Sequence, residues 1–271
     1  MKKNVVVIPV YKNKLTHTEG ISLIRCCEEL SNNKIVFVSP SFLDFSEYHL
    51  LINRFNIDID VEYFEDSYFS GIESYNKLML SKQFYERFSA YEYMLIYQLD
   101  AYVFKGDELE DWCEKGYDYI GAPIVGHHLD TSFSMNMRVG NGGLSLRKVS
   151  VFVDAFDFKN KLLNSTEVLK RFEVYKKFWT RIPLFFFMIL GFHNSLSYFA
   201  QHWKYNEDDF WSGFLDNTNY SLKKPDPIEA LEFAFERFPK ECYKITNKLP
   251  FGCHAWEKYE FLDFWSKYIK Y

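Results

Sequence analysis

Glu207, Asp208 and Asp209 stand in a row between Trp203, Tyr205, Phe210 and Trp211. Carboxylates held this close raise one another's pKa, and a carboxylate of raised pKa suits general-base work. The competing reading is a helix N-terminus, where the dipole favours acids. Asp100 follows the apolar run Tyr93–Leu99, so its charge must lie at that segment's exposed end. A lone carboxylate there can hold a divalent cation or a sugar hydroxyl, or merely cap the next turn. Mg²⁺ or Mn²⁺ on a diphosphate needs only one or two protein carboxylates, because phosphates and water complete the shell. His254, two residues after Gly252 in an aromatic segment, can ligate a metal or donate to a phosphate, or sit in a core with a backbone partner. Gly140-Asn141-Gly142-Gly143 permits positive φ and close backbone approach to a ligand. It matches neither a dinucleotide fingerprint nor a P-loop, and Asn-Gly is equally a hairpin-turn signal. His127-His128 is a further pair, in a loop.

These residues need elements to place them. Val5–Val10 is a continuous apolar run, as in a parallel strand covered on both faces. Ile21–Leu30 reads as a helix, Lys34–Val38 as a second strand and Asp60–Phe64 as a third. Ile72 to Phe88 reads as one helix whose apolar face is interrupted at Lys82, and Tyr93–Leu99 as a strong strand. Strands alternating with helices predict an α/β fold, a mostly parallel central sheet with helices on both faces. In such sheets ligands bind at the carboxyl ends of the strands, which is where Asp100 falls. The second half is less regular, with a glycine turn before Leu144–Arg147 and then aromatic helical segments.

The chain has 271 residues, of which 48% are apolar and 20% aromatic, enough for a sizeable core. With 32 Lys and Arg against 37 Asp and Glu, the net charge of −5 argues against a nucleic-acid partner. The five cysteines are odd in number and form no CxxC pair, which predicts reduced thiols and a cytoplasmic location. The N-terminal apolar run is too short for a signal-peptide core. From Ile182 to Trp203 there is no charged residue. The stretch is long enough for a membrane span, but His193, Asn194, Ser195, Gln201 and His202 make its second half too polar for one. Just before it, Lys170, Arg171, Lys176, Lys177 and Arg181 mix with Phe172, Tyr175, Phe178 and Trp179. That mixture suits either a core helix with a solvated basic face or peripheral contact with an anionic membrane.

Taken in order, the opening strand and Pro9-Val10-Tyr11 loop, Tyr75–Ser81, Tyr97–Ala101, Gly140–Arg147, Asn206–Trp211 and Gly252–Trp256 resemble a family of bacterial glycosyltransferase-like proteins known as a domain of unknown function. More distantly they resemble the GT-A nucleotide-sugar transferases, including the fringe and β1,3-galactosyltransferase group. The resemblance covers nearly the whole chain and is weakest over 155–200. It implies a single GT-A-like domain over 1–271, with a nucleotide-binding half (1–125) and an acceptor-side half (126–271) containing an aromatic helical segment, 165–203. It implies sugar transfer from a nucleotide-diphosphate sugar to a glycan or lipid-linked acceptor in surface polysaccharide synthesis. Pro9, Val10, Tyr11, Lys77, Asp100, Gly142 and Gly143 would face the donor. Asp208 would be the base, with Glu207 as the other candidate. Asp100 and His254 would hold Mn²⁺ or Mg²⁺, although Asp100-Ala101-Tyr102 lacks the second acid of the Asp-x-Asp motif. Lys77 or Arg147 could instead neutralise the leaving group. Open faces of Trp211 and Trp256, or of Trp203, would stack on acceptor sugars. The alternatives are a non-catalytic carbohydrate-binding module, a degenerate transferase, or a sugar nucleotidyltransferase. The last is disfavoured because Pro9–Lys14 contains no glycine.

Overall fold

The computed structural model describes residues 2–55, 57–125, 138–173 and 182–270. His127-His128 and the basic aromatic stretch at 174–181 lie outside them. The strands are β1 (Lys2–Pro9), β2 (Lys34–Ser39), β3 (Ile59–Tyr63), β4 (Tyr91–Tyr97), β5 (Ala101–Val103), β6 (Tyr119–Gly121), β7 (Pro123–Ile124), β8 (Arg138–Val139), β9 (Leu144–Lys148), β10 (Ala234–Phe235) and β11 (Gly252–His254). The main sheet runs β3-β2-β1-β4-β9-β6. Its first four strands are parallel, and β9 is antiparallel to both of its neighbours.

Val5, Val6, Val7 and Ile8 are fully buried because the sheet is covered on both faces. Strand alternation sends Val5 and Val7 into one core with Phe84 and Tyr85. It sends Val6 and Ile8 into the other, against Leu23 and Cys26 of the helix His17–Leu30. Each such side chain contributes roughly 1.5–3 kcal/mol by leaving water. All five cysteines are free and buried.

The helix before β2 starts at His17 rather than Ile21, because Thr16 and Glu19 form a reciprocal capping box. The single helix expected from Ile72 to Phe88 is two, Ile72–Met79 and Lys82–Glu86. Ser81 separates them: its hydroxyl donates to the Leu78 carbonyl at 2.7 Å and accepts from the Phe84 N–H at 3.3 Å. The glycine run is not a hairpin turn. Strand β8 pairs with β7, and β9 with β4 and β6, so the run carries the chain from one sheet to another.

A second sheet, β10-β11-β5, stands where β4 ends. The chain turns over Gln98–Asp100, closed by a 2.8 Å bond from the Ala101 N–H to the Gln98 carbonyl, and re-enters as β5. Register in the β5–β11 pair sets His254 opposite Ala101, and therefore next to Asp100. Both sheets draw strands from either side of residue 125. No described helix is long and apolar enough to cross a membrane.

Candidate active site

A cleft of about 650 Å³ opens at the carboxyl ends of β1 and β4. Pro9, Val10 and Tyr11 form one wall, and Tyr75 and Asn76 another. Asp100 lies at the floor, with Gly142, Gly143, Glu207, Asp208 and His254 around it. Residues far apart in sequence meet here because parallel strands deliver all their carboxyl ends to one edge.

The three consecutive acids have three different fates. Glu207 is buried and grips the fully buried Arg147 through two bonds, 2.7 and 3.0 Å long. Arg147 also donates to the Tyr85 hydroxyl at 2.9 Å and to Ser145 Oγ at 3.1 Å. Asp209 is ion-paired with Arg138, which fits only because Gly213 has no side chain: a Cβ there would lie 2.0 Å from Arg138 Nη1. Asp208 keeps backbone donors instead, from Gly142 N–H at 3.3 Å and Asp209 N–H at 2.8 Å, and it faces the cleft. Burial, then the charges of Glu207 and Asp209, push its carboxyl up to about 7 against the opposing pull of those backbone donors. A group titrating there can take a proton near neutral pH. Both Glu207 oxygens are taken up by Arg147, so its candidacy as the base is corrected in favour of Asp208.

The acids are held as a short helical turn, Glu207–Asp209, running into a π-helical turn, Phe210–Phe214. Asn76 docks the turn by accepting from the Glu207 N–H at 3.1 Å. The glycines act through closeness. A Cβ on Gly142 would lie 2.3 Å from Glu207 Oε1, and one on Gly143 would lie 1.9 Å from His254 Nε2. Positive φ occurs in this run at Gly140.

His254 Nε2 stands 3.0 Å from Asp100 Oδ1, and Nδ1 stands 3.5 Å from Glu236 Oε1. Burial would lower the imidazole pKa, but the carboxylates of Asp100 and Glu236 outweigh it and raise it to about 10. Burial likewise opposes ionisation of Asp100, yet the charges of His254 and Lys258 hold its carboxyl well below the usual carboxylate range. Neither buried ring nitrogen has an aligned hydrogen-bond partner. Once the imidazole loses its proton, its free nitrogen and the Asp100 carboxylate oxygen make a donor pair that fits a divalent cation with only two protein ligands, so cation binding here would release a proton. Among the described residues no group of three or more His, Cys, Asp or Glu is arranged to hold a metal. Any cation here would therefore depend on a ligand's oxygens.

Several expectations fail on position. Trp211 and Trp256 are fully buried and offer no sugar platform. Trp211 packs among Tyr85, Phe152 and Phe210, and Trp256 against Tyr102 and Phe261. Trp203 is half-buried, with Tyr205 exposed at its edge. Lys77 is exposed, pairs with Glu73 at 2.8 Å and does not line the cleft, so its assignment to the donor is corrected. Arg147 is too deep and too committed to meet a leaving group. Among the described residues, the lysines that line the cleft are Lys12, paired with Glu19 at 2.6 Å, and Lys258, 3.6 Å from Asp100. Neither was foreseen as a lining residue of the cleft. Their only sequence signals were nearness to Tyr11 and to His254.

A family model described as "Protein of unknown function (DUF5672)" matches residues 58–254. No curated protein matches the chain. Among solved structures, mouse xyloside xylosyltransferase 1 in its apo form is similar at a TM-score of 0.52 and 10% identity, the match covering 94% of this chain and 97% of that one. Staphylococcus aureus TarS matches at a TM-score of 0.38 and 14% identity, over 56% of this chain and 29% of that one. TarS 1–349 in complex with UDP-GlcNAc matches at 0.36 and 16% identity, over 56% and 47%. The chain thus spans less than half the length of those TarS structures. The mixed α/β architecture, with its mostly parallel central sheet, is the fold this chain shares with the mouse xyloside xylosyltransferase 1 structure.

Proposed function

Since the chain belongs to the DUF5672 family, we propose its activity from its own cleft: transfer of a sugar from a nucleotide-diphosphate sugar to a hydroxyl of a glycan or lipid-linked acceptor. The observation that carries this reading is Asp208, a carboxylate raised to about 7 and facing the same strand-end cleft as Asp100. The fold shared with the mouse xyloside xylosyltransferase 1 structure supports it. The same proposal places the reaction in bacterial surface polysaccharide synthesis and relates the chain to the fringe and β1,3-galactosyltransferase group.

In this mechanism the donor's nucleotide lies along Pro9, Val10 and Tyr11, against the end of β1. Asp208 takes the proton from the acceptor hydroxyl as that oxygen attacks the anomeric carbon, and the bond to the diphosphate breaks with inversion. The Gly142 and Asp209 N–H groups hold one Asp208 oxygen each and so fix the plane of the carboxylate, leaving a further lone pair on each oxygen to accept the proton. Arg147 and Glu207 position Asp208 without touching the reacting atoms. Lys12 and Lys258 supply positive charge toward the departing diphosphate. Asp100 and His254 are the residues that would hold Mn²⁺ or Mg²⁺, which when bound would neutralise diphosphate oxygens.

The test is a donor-hydrolysis screen over UDP-, GDP- and CMP-sugars, with Mn²⁺ and with EDTA. Release of one nucleotide class is expected, lowered by EDTA. No nucleotide binding by thermal shift, together with a shift on free glycan, would instead establish the carbohydrate-binding module.

A further inference from the structure

The helix Ile182–Leu190 ends at Gly191, whose φ of 102° turns the chain through Phe192 and His193. Met188 points inward and belongs to the core. Phe186, Phe187, Leu190 and Phe192 point outward, exposed by 58, 50, 68 and 60%. The rings of Phe187 and Phe192 meet edge to face at 5.8 Å, so helix and turn present one continuous apolar surface. Scattered exposed apolar residues are ordinary, but large ones gathered like this mark a contact surface.

The surroundings give the surface a sign. Lys161 donates from Nζ to the Ile189 carbonyl, which fixes a cation at the helix C-terminus, and its stem lies 3.4 Å from where a Gly191 side chain would begin. The helix Ser165–Glu173 packs alongside and adds exposed Leu169 and Lys170. Over the described positions 158–173 the sequence holds Lys159, which is exposed, with Lys161, Lys170 and Arg171, against Glu167 and Glu173, within a chain of net charge −5. Positions 182–203 hold no charged residue at all.

We propose that this surface seats on an anionic lipid bilayer, with the phenylalanines and Leu190 entering the headgroup–acyl boundary and the neighbouring lysines meeting lipid phosphates. The combination of an apolar face with clustered cations is what an interfacial helix requires. A second copy of the chain would bring the same cations to the same place, and their repulsion disfavours it. The helix is too short to cross a bilayer, so contact is confined to one leaflet. The surface shares no residue with the cleft, so it stands or falls separately from sugar transfer.

The test is co-sedimentation of the full chain with phosphatidylcholine vesicles, with and without phosphatidylglycerol. Binding is expected to anionic vesicles, at least about tenfold weaker to neutral ones, and reduced by salt. Phe186→Ser/Phe187→Ser/Phe192→Ser, and separately Lys159→Glu/Lys170→Glu, each reduce it about tenfold or more while the thermal melt and soluble donor turnover stay unchanged. If the triple variant melts early, Phe186→Ser alone serves, with a smaller loss. Absence of vesicle binding, or binding indifferent to both variants, overturns the proposal. Dimerisation or capture of an acidic protein that the serine variants abolish, without vesicle binding, overturns it in favour of a protein partner.

Discussion

Asp208 and Glu207 are adjacent carboxylates with opposite expected behaviour. Asp208→Asn removes the base and lowers donor-to-acceptor turnover by about 10²–10⁴-fold. In the wild type, kcat/KM falls about tenfold per pH unit below about 7, where Asp208 becomes protonated. Glu207→Gln removes a neighbouring negative charge, so it moves that acid limb to lower pH. Stability gives an independent reading. Below the unfolded carboxylate value near 3.8 both states are protonated and nothing is lost. Between there and about 7 the folded protein keeps a proton that the unfolded chain has released, so stability falls as pH rises; above 7 the whole penalty is present. Asparagine escapes it. Asp208→Asn therefore melts higher than wild type at pH 8, by on the order of 2 kcal/mol, with no gain near pH 4. Glu207→Gln does the reverse, leaving the Arg147 guanidinium buried without its counter-charge, for a loss of about 3 kcal/mol at pH 8. Equal melting shifts for the two variants, or intact turnover in Asp208→Asn, would refute these roles.

At the scale of elements, the site depends on segments that approach one another more closely than side chains allow. Gly143→Ala places a methyl into His254 and must move either the ring or the backbone that the Gln98 N–H holds at 2.9 Å. The expected result is a destabilisation of about 1–3 kcal/mol and a roughly 100-fold drop in donor turnover. Unchanged turnover measured on folded protein would show that His254 has no part in the cleft's work. The elements differed in how plainly the sequence announced them. β1, β2 and β4 were legible because runs buried on both faces are continuous in sequence. The break at Ser81 was visible only as an interrupted apolar face, since a hydroxyl that caps a helix is also tolerated within one. The π-helical turn after Asp209 left no periodic signal at all.

At the scale of the whole molecule, aromatic residues divide between core and surface in a way composition could not foretell. Trp211 closes one core with Tyr85 and Phe152. Trp211→Ala should cost about 3–5 kcal/mol. Trp211→Phe should retain most of the stability and leave acceptor KM unchanged. A large selective rise in acceptor KM, with stability intact, would restore Trp211 as a sugar contact. The outward phenylalanines of the helix Ile182–Leu190 do the opposite: Phe186 and Phe187 are exposed by 58 and 50%.

The sequence by itself determined the sheet-forming runs, the α/β class, and a set of residues that do converge: Pro9, Val10, Tyr11, Asp100, Gly142, Gly143, Glu207, Asp208 and His254 share one cleft. Asp100, the glycines, the clustered acids and His254 stood out by their own local setting, whereas Pro9, Val10 and Tyr11 were assigned only through the family resemblance. Tertiary structure alone decided which acid was left free. Arg138 and Arg147 lie about 70 and 60 positions from the carboxylates they neutralise, and no local pattern reports a pairing at that range. It also decided that Trp211 and Trp256 face inward and that Lys12 and Lys258, rather than Lys77, line the cleft. Burial and charge pairing are properties of what the folded chain brings together, and they set the proton affinity on which the chemistry depends.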